Sequence, residues 1–472
     1  MATWTKTLCF LFVLGAVAGA AEPSATPTYC RDIAPILFAR CADCHREGAV
    51  APFPLLTFSD ASKRAKWISE VIDSGLMPPW RAEPEFGHFV GERRVTPKER
   101  ELLKAWAAAG APEGDPKELP PIPKFPTGWM LGTPDLVLSM EEAFTIPAGG
   151  PDIFRNFAIR LSNTVTLNVK AIEFRPGNPV VVHHALTLCD PSGGAIERDR
   201  KDPAPGYPST ATGSEELVHG AGLVDVWAPG VTPSPFPKGV AMPIKPGSAM
   251  ILNLHYHPSG KAESDKSMIG IYLAKEPIQR QVHLESPFII GALNVDIPPG
   301  EKRHHIHGSF TLPVNVSIFG VFPHMHYLGQ EMKMVATLPD KSTTPLIWIK
   351  RWDFNWQNKY VYATPLDLPK GTIVEIDAYY DNSSDNPLNP SKPPKRVLFG
   401  EETVDEMCIG IFQVAVENGR DAVVLRQALL RHSMQEALAG TMHIDVRRRI
   451  LENLIQLGLK DSRDRKQSDN EK

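Results

Sequence analysis

The sequence has no surplus of basic residues and, after residue 20, no long apolar run. Lys and Arg number 50 against 54 Asp and Glu, so the chain lacks the basic surface that nucleic acids or anionic membranes attract. No stable membrane span is expected, because a crossing helix needs about 20 consecutive apolar residues. Proline is abundant instead, at 45 residues, which favours turn-rich β domains over a helical bundle.

Cysteine is scarce and unevenly divided. Of the six cysteines, Cys9 lies in the N-terminal segment, and Cys41 and Cys44 belong to the motif described below. The remaining three are Cys30, Cys189 and Cys408. An odd number excludes a full disulfide framework, and the sequence does not determine whether one bridge joins two of them.

The first 20 residues predict a signal peptide. Lys6 provides the positive charge, residues 8–20 an apolar segment, and Ala18-Gly19-Ala20 a small-residue cleavage site. The apolar segment is short for the alternative, an uncleaved membrane anchor. We therefore expect cleavage near Ala20 or Ala21 and a periplasmic or secreted protein. Its 472 residues predict several domains.

The segment Cys41-Ala42-Asp43-Cys44-His45 has the C-x-x-C-H pattern through which c-type haem is attached. The two thiols add to the haem vinyl groups, and His45 becomes an axial iron ligand. A zinc site or a redox dithiol is the alternative. The adjoining histidine, the signal peptide and the lack of a second C-x-x-C count against it.

The other axial ligand is expected to be a thioether or an imidazole. Met77 is the preferred candidate because Pro78 and Pro79 stiffen its loop, and His88 is the alternative. With both iron faces occupied, one covalent haem c suits electron transfer better than oxygen binding.

Helices are predicted at residues 36–42, at 59–74 and from Thr96 onwards. Thr96-Pro97-Lys98-Glu99 combines an N-cap, a proline at the first helical position and a capping-box glutamate. Residues 27–115 thus resemble a small, all-α, class I-like cytochrome c.

A proline-rich linker at residues 116–128 leads to a β-rich remainder. Val165, Leu167 and Val169 alternate with polar residues, as in a half-buried strand. Turn residues recur through about residue 415, as in sandwich or jelly-roll folds. Residues 421–459 are predicted to be helical, and the charged last dozen are expected to be disordered.

Several histidines follow apolar, strand-like segments. They form three pairs: His183 with His184, His255 with His257, and His324 with His326. Residues two apart on a strand share a face, so His324 and His326 can bind one ion. A single such histidine is more often a hydrogen-bonded core residue, but three pairs favour metal binding. The group His304, His305 and His307 follows Pro298-Pro299-Gly300 and is predicted to lie in a solvated turn.

Met407, in the segment Val404-Asp405-Glu406-Met407-Cys408-Ile409, completes a pattern with these histidines. The order of these histidines and Met407, and the local sequence around them, resemble the copper type II, ascorbate-dependent monooxygenases, the family of peptidylglycine α-hydroxylating monooxygenase and dopamine β-hydroxylase. The resemblance covers roughly residues 130 to 415. It implies two all-β jelly-roll sandwich domains with one copper each, at residues 129–285 and 286–418, followed by a helical tail at 419–472.

The resemblance also implies the copper ligands. The first copper would be bound by His183, His184 and His255, and the second, catalytic copper by His324, His326 and Met407. Thioether ligation stabilises Cu(I) at an open site where O2 can bind. His183 and His184 are adjacent, so a regular strand would point them to opposite faces. This set therefore requires a bulge or coordination through different ring nitrogens.

Departures from the family bear on the substrate. The peptidylglycine enzyme binds its substrate's carboxylate with an arginine before the His-x-His and a polar pair after the methionine. Here Phe322, Ile409 and Ile411 occupy those places, so peptide amidation is not expected. Together with Met325 and Tyr327, they suggest a more apolar small-molecule substrate.

Two functions remain in competition. The first is a periplasmic monooxygenase that uses O2 and two coppers and receives electrons from a periplasmic donor through its own haem. The second is a non-catalytic haem c electron-transfer or copper-handling protein on the same scaffold. A haem domain attached to a metal-free β-sandwich would require six coincidental ligand matches. The enzyme is therefore the preferred interpretation.

Overall fold

The computed structural model describes residues 26–126, 128–209, 216, 221–282, 288–291, 293–400, 402–439, 447–448, 451–452 and 455. The predicted signal peptide lies outside this range, as do the charged last residues. Among the helices of the described ranges, none combines the length and apolar character that a membrane crossing requires.

The N-terminal region is helical. Its helices α1 to α4 are Ala34–Arg40, Phe58–Ser62, Ala65–Asp73 and Pro97–Ala108, with a π-helical turn at Tyr29–Ile33 and a 3-10 turn at Pro116–Glu118. The predicted capping box is confirmed: Thr96 Oγ1 accepts the N–H of Glu99 at 3.2 Å, and the Glu99 carboxylate accepts that of Thr96 at 2.7 Å. The single helix predicted at 59–74 is wrong, because the backbone leaves helical geometry at Arg64 and divides it into α2 and α3.

Residues 136–281, here called the first β region, form two five-stranded sheets. Strands β1 to β12 are Leu136–Ser139, Phe144–Ile146, Ile153–Arg160, Leu167–Arg175, Val182–Asp190, Tyr207–Pro208, Gly222–Trp227, Val240–Ile244, Ala249–Tyr256, Glu263–Asp265, Met268–Leu273 and Arg280–Gln281. The sheet orders are β1-β11-β4-β8-β12 and β6-β3-β9-β5-β7, and β2 pairs with β10. Helix α5 (Ala195–Lys201) follows β5. Of the predicted alternating residues, Val165 precedes β4 and is exposed.

Residues 288–415, here called the second β region, form two four-stranded sheets. Strands β13 to β22 are Phe288–Gly291, Asp296–Ile297, His304–Thr311, Val316–His324, Gly329–Thr337, Thr343–Ile349, Tyr360–Leu368, Ile373–Tyr380, Val397–Leu398 and Ile409–Ala415. The sheet orders are β13-β22-β16-β19 and β15-β20-β17-β18. The turn predicted around His304, His305 and His307 is wrong, since all three lie on β15 and pair with β20.

Three main hydrophobic clusters correspond to the helical region and to the two pairs of sheets. The molecule is thus mostly β-sheet, and apart from the short helix α5 its helices lie in the N-terminal region and after β22. Helix α6 (Gly419–Ala439) contributes Leu425, Leu429 and Ala437 to the cluster of the second pair of sheets. Ala82 and Phe89 of the N-terminal region belong to that same cluster, so the helical region is joined to the second β region by shared core.

Candidate metal centres

The C-x-x-C-H residues lie just beyond α1, in a turn that continues the helix. The N–H groups of Cys44 and His45 both bond to the Cys41 carbonyl, at 3.1 and 2.9 Å, which keeps the three side chains within one turn. His45 donates from Nδ1 to the Phe53 carbonyl at 3.1 Å, which leaves the Nε2 lone pair available. Burial lowers the pKa of His45 and favours the neutral ring.

The donor set at this turn fits haem attachment better than a structural zinc site. Structural zinc takes four protein ligands. In the described residues, no further imidazole, thiol or carboxylate forms a metal-like cluster with Cys41, Cys44 and His45. The cysteines left open by the sequence, Cys30, Cys189 and Cys408, are all buried and free of disulfides.

The two candidates for the other axial ligand lie in different surroundings. Met77 is half-buried on the loop after α3, where its N–H bonds to the Val71 carbonyl at 3.1 Å. His88 is exposed, and its carbonyl accepts the N–H of Ala363 beside β19. Met77 therefore remains the preferred candidate.

The C-x-x-C-H segment also contacts the first β region. Arg93 lies with Nη1 3.4 Å from Cys44 Sγ and donates from Nη2 to the Gly230 carbonyl at 3.1 Å. A Cβ atom at Gly230 would lie 3.8 Å from the same sulfur. The loop after β7 is thus packed close to the proposed thioether bond.

The adjacent histidines lie on a β-bulge. In the β5–β9 ladder Val182 pairs with Tyr256 and His184 with His255, so His183 is the extra residue on its strand. The bulge allows both imidazoles to reach the same place. The Nδ1 atom of His184 lies 3.2 Å from Nδ1 of His183 and 3.2 Å from Nδ1 of His255. The ligand atoms of the three rings all lie within 4.8 Å of one another.

Asp152 orients His255, one of the three clustered histidines, from the side of its ring away from the cluster. Its carboxylate accepts hydrogen bonds from His255 Nε2 at 2.6 Å and from His257 Nδ1 at 2.7 Å. Because Nε2 of His255 carries the proton, its Nδ1 lone pair points to the cluster. Burial lowers the pKa of His255 to about 4 despite the carboxylate, so the ring is neutral at pH 7. His257 is thereby placed behind the cluster, and the ring stack of Phe154 on His255 (4.3 Å) covers one side.

The second set lies at the end of β16. His324 and His326 have ring centroids 5.1 Å apart at an interplanar angle of 79°. His324 donates from Nδ1 to Gln357 Oε1 at 2.5 Å, and His326 from Nδ1 to the Asp405 carbonyl at 3.1 Å. Both rings therefore keep Nε2 free for an ion. Burial lowers the pKa of both, that of His326 to about 3.

Met407 is joined to this pair by a buried carboxylate. Glu406, fully buried, accepts the backbone N–H groups of His326, of Leu328 at 3.0 Å and of Met407 at 2.9 Å. Its burial raises the pKa of Glu406 to about 8. Met407 lies two residues before Ile409, which pairs with His324 across the β16–β22 ladder. The backbone segments that carry the three candidate ligands therefore meet at one corner of the sheet.

Sequence reasoning missed the residues that orient the ligands, namely Asp152, Gln357 and Glu406. Each is joined to its histidine across a separation of 103, 33 or 80 residues. No local pattern records such pairings. Only the predicted bulge pointed to the arrangement at His183.

Comparisons with known proteins add no assignment. No family model matches the chain, and no curated protein matches it. Among solved structures, the VP2 subviral particle of infectious bursal disease virus is 9% identical, with a TM-score of 0.18 over 62% of this chain and 74% of that one. A structure of the Gx strain of that virus is 7% identical, with a TM-score of 0.16 over 60% and 72%. Likenesses at these scores carry no information on function.

Proposed function

We propose that this chain is an exported copper monooxygenase that hydroxylates a C–H bond of a non-peptide substrate with O2, drawing electrons through its own haem c. It would group with the copper type II, ascorbate-dependent monooxygenases. A cytochrome c-like region at 27–115 would precede jelly-roll domains at 129–285 and 286–418. The observation that carries the proposal is the bulge at His183, which brings the Nδ1 atoms of two adjacent histidines together with that of His255.

Copper at the two sets would supply one-electron cycling and O2 activation. The chain's own contribution is to orient the donors before an ion arrives. Asp152 fixes the His255 tautomer, and Gln357 and the Asp405 carbonyl fix those of His324 and His326. Neutral, pre-oriented imidazoles can bind a cation without first losing a proton.

The surroundings of the second set favour an apolar substrate. Phe322 pairs with Ile411, and His324 with Ile409, so these four side chains share one face of the β16–β22 pair. All four are half-buried. Their apolar face provides no cationic group to bind a carboxylate. Met325, by contrast, is fully buried in the core and unavailable to a substrate.

The apolar face continues into a cavity between the two β regions. Phe322 and Ile411 line it together with Phe236 from the first region. Its polar wall contains the ion pair of Lys359 with Asp225, joined at 2.5 Å. A small apolar molecule that reaches His324 is thus expected to approach from between the β regions.

Metal content tests the proposal directly. The protein is exported with haem maturation, loaded anaerobically with copper, freed of excess metal and analysed for copper and iron. About two coppers per haem iron are expected from the two donor sets. His183→Ala and His324→Ala should each lose one copper, whereas the control His305→Ala, at an exposed position of β15, should lose none. Substoichiometric copper in folded, haem-loaded protein would mean that the ligand assignment is wrong.

Activity is the second stage of the test. Copper-loaded protein with reduced haem is offered O2 and candidate apolar substrates, and the hydroxylated product is measured by mass spectrometry with labelled O2. Incorporation of one labelled oxygen atom that His324→Ala abolishes would support the enzyme. Two bound coppers without labelled product would instead favour a copper-handling or electron-transfer protein.

A further inference from the structure

One loop of the second β region contacts both proposed metal-binding areas. Residues 350–358, here called the bridge segment, lie in the connection between β18 and β19. On one side it contacts the loop that carries Met77, and on the other it contacts His324 and His326. Nothing in the sequence pattern singles out this segment, since it has neither a motif nor a regular element.

The contacts with the Met77 loop involve both ends of the bridge segment. Asn358 donates from Nδ2 to the Pro79 carbonyl at 2.8 Å, and only 7% of its surface is exposed. Arg351 donates from Nη2 to the carbonyls of Ser74 at 3.0 Å and Gly75 at 3.2 Å. Gly75 has φ of +70°, a left-handed conformation that favours glycine, and a Cβ atom there would lie 2.6 Å from Arg351 Nη2, so another residue would displace the arginine.

An ion pair strengthens the same side. Arg81 Nη2 lies 2.7 Å from Asp353 Oδ2, and the Arg81 side chain is only 8% exposed. Arg81 also donates from Nη1 to the Gly75 carbonyl at 2.8 Å. Because the Arg81 side chain is shielded from water, this ion pair holds the two segments in a more defined position than an exposed ion pair would.

The contacts with the second metal set come from the middle of the bridge segment. Gln357 Oε1 accepts the Nδ1–H of His324 at 2.5 Å. Trp352 donates from Nε1 to the His326 carbonyl at 3.0 Å. The Phe354 ring lies edge-on to the His326 ring, with centroids 5.8 Å apart. Gln357 and Asn358 are consecutive, so one peptide unit separates the hydrogen bond to His324 from the hydrogen bond to Pro79.

We propose that Gln357 and Asn358 are positioning residues which connect the His324–His326 centre to the Met77 loop. An ion bound by His324 and His326 would thereby order the Met77 loop. An ion on Nε2 would fix the His324 ring and strengthen its Nδ1–H bond to Gln357. The ordered bridge segment then holds the Pro79 carbonyl more firmly, two residues from Met77. The inference rests on the proposed function, because it takes His324 and His326 as copper ligands.

Hydrogen exchange of the haem-loaded protein tests the coupling. Exchange is followed by mass spectrometry in peptides spanning residues 74–83, with and without anaerobic Cu(I). These peptides include the Leu76 and Met77 amides, which bond to the Val71 carbonyl. Coupled sites typically alter each other about fivefold or more, so exchange in this segment should slow by about that factor when Cu(I) binds.

Variants at each end of the connection distinguish it from a general stabilisation. Asn358→Leu removes the donor to Pro79 and should abolish the slowing while copper still binds. Gln357→Leu is expected to bind copper more weakly, because Gln357 fixes the His324 tautomer, so it is loaded at a higher Cu(I) concentration; once loaded, it should also lack the slowing, and Gln357→Glu, which keeps the acceptor, should restore it. The matched control is Asn355→Leu, an exposed asparagine of the bridge segment whose side chain bonds to Asp353. It should behave as wild type.

Copper is counted in every sample, which distinguishes failure of the proposed connection from failure of the proposed function. If about two coppers bind but residues 74–83 exchange at the same rate, the connection is refuted and the proposed function stands. Slowing that survives both Asn358→Leu and Gln357→Leu would refute it equally. Failure to bind copper would overturn the proposed function, and this inference with it.

Discussion

The Asp152 carboxylate shows how much of a binding site depends on single residues that are not ligands. It accepts hydrogen bonds from His255 and His257, two residues apart on one chain segment. Without it, Nε2 of His255 would have no acceptor, and the ring would be free to present either nitrogen to the cluster. Partners of this kind typically contribute 10-fold to 100-fold to metal affinity.

We predict that Asp152→Ala lowers copper affinity at the three-histidine set by about 10-fold to 100-fold, as measured by competition with a chelator. Asp377→Ala is the matched control. Asp377 also accepts from two histidines two residues apart, His305 at 2.8 Å and His307 at 3.1 Å, but it lies outside both sets. Equal losses in the two variants would show that Asp152 has no special role.

Some single residues of the candidate sites could be predicted from the sequence, and others could not. Residue type and spacing nominated the three histidine pairs, because metal ligands come from a small set of side chains, and the resemblance to the copper type II monooxygenases added Met407. Asp152, Gln357 and Glu406 are common residue types in unremarkable surroundings. Their roles arise from strand pairing, which a single sequence does not record.

Local signals determined whole elements where the chemistry was local. The start of α4 was predictable because Thr96 and Glu99 satisfy each other's backbone N–H groups within one turn. The division between α2 and α3 was not, since Arg64 lies in an otherwise continuous helical pattern. Two adjacent ligands required either a bulge or coordination through different ring nitrogens, and the structure has the bulge at His183.

We predict that Thr96→Ala destabilises the helical region by about 1 kcal/mol, because it removes the N-cap acceptor of α4. The cap is also linked to the C-x-x-C-H segment, since Glu99 accepts a hydrogen bond from Arg40, the residue before Cys41, at 3.2 Å. Denaturant unfolding followed by haem absorbance measures the loss. Thr96→Ser retains the hydroxyl and should remain near wild type, and an equal loss in both variants would contradict capping.

At the scale of the whole molecule, the N-terminal region and the second β region are built around shared core. The Phe89 ring packs against Tyr360 and Tyr362, with centroids 5.3 and 5.1 Å away, and is only 5% exposed. Backbone bonds reinforce the contact, including Glu83 N–H to the Trp348 carbonyl at 2.7 Å. Composition and linkers suggested separate modules, and long-range packing of this kind leaves no periodic trace in the sequence.

We predict that Phe89→Ala costs about 3 to 5 kcal/mol and separates one unfolding transition into two, one followed by haem absorbance and one by β-sheet circular dichroism. The transitions should separate because the shared core couples the two regions. Phe86→Ala is the matched control, since Phe86 is half-buried against Trp348 outside the shared core. Coincident transitions in Phe89→Ala would show that other contacts suffice.

The two β regions are joined by shared core, since Phe319 and Ala415 of the second belong to the hydrophobic cluster of the first, and also by a buried ion pair. The Lys359 side chain is 6% exposed and that of Asp225 13%, so neither charge is well solvated. Removing one partner leaves the other uncompensated, at a cost of about 3 to 5 kcal/mol, whereas replacing both with apolar residues is often neutral. Because the pair lines the cavity beside Phe322 and Ile411, its charge also sets the polarity of the proposed substrate approach.

We therefore predict that Lys359→Met markedly lowers the free energy of unfolding and that the double variant Lys359→Met with Asp225→Leu recovers most of it. Denaturant titration followed by tryptophan fluorescence compares the three proteins. Lys350→Met is the matched control, because that lysine pairs with Glu83 at 3.0 Å but is 46% exposed, so it should cost little. A double variant as unstable as Lys359→Met alone would mean that packing, rather than the unpaired charge, dominates this interface.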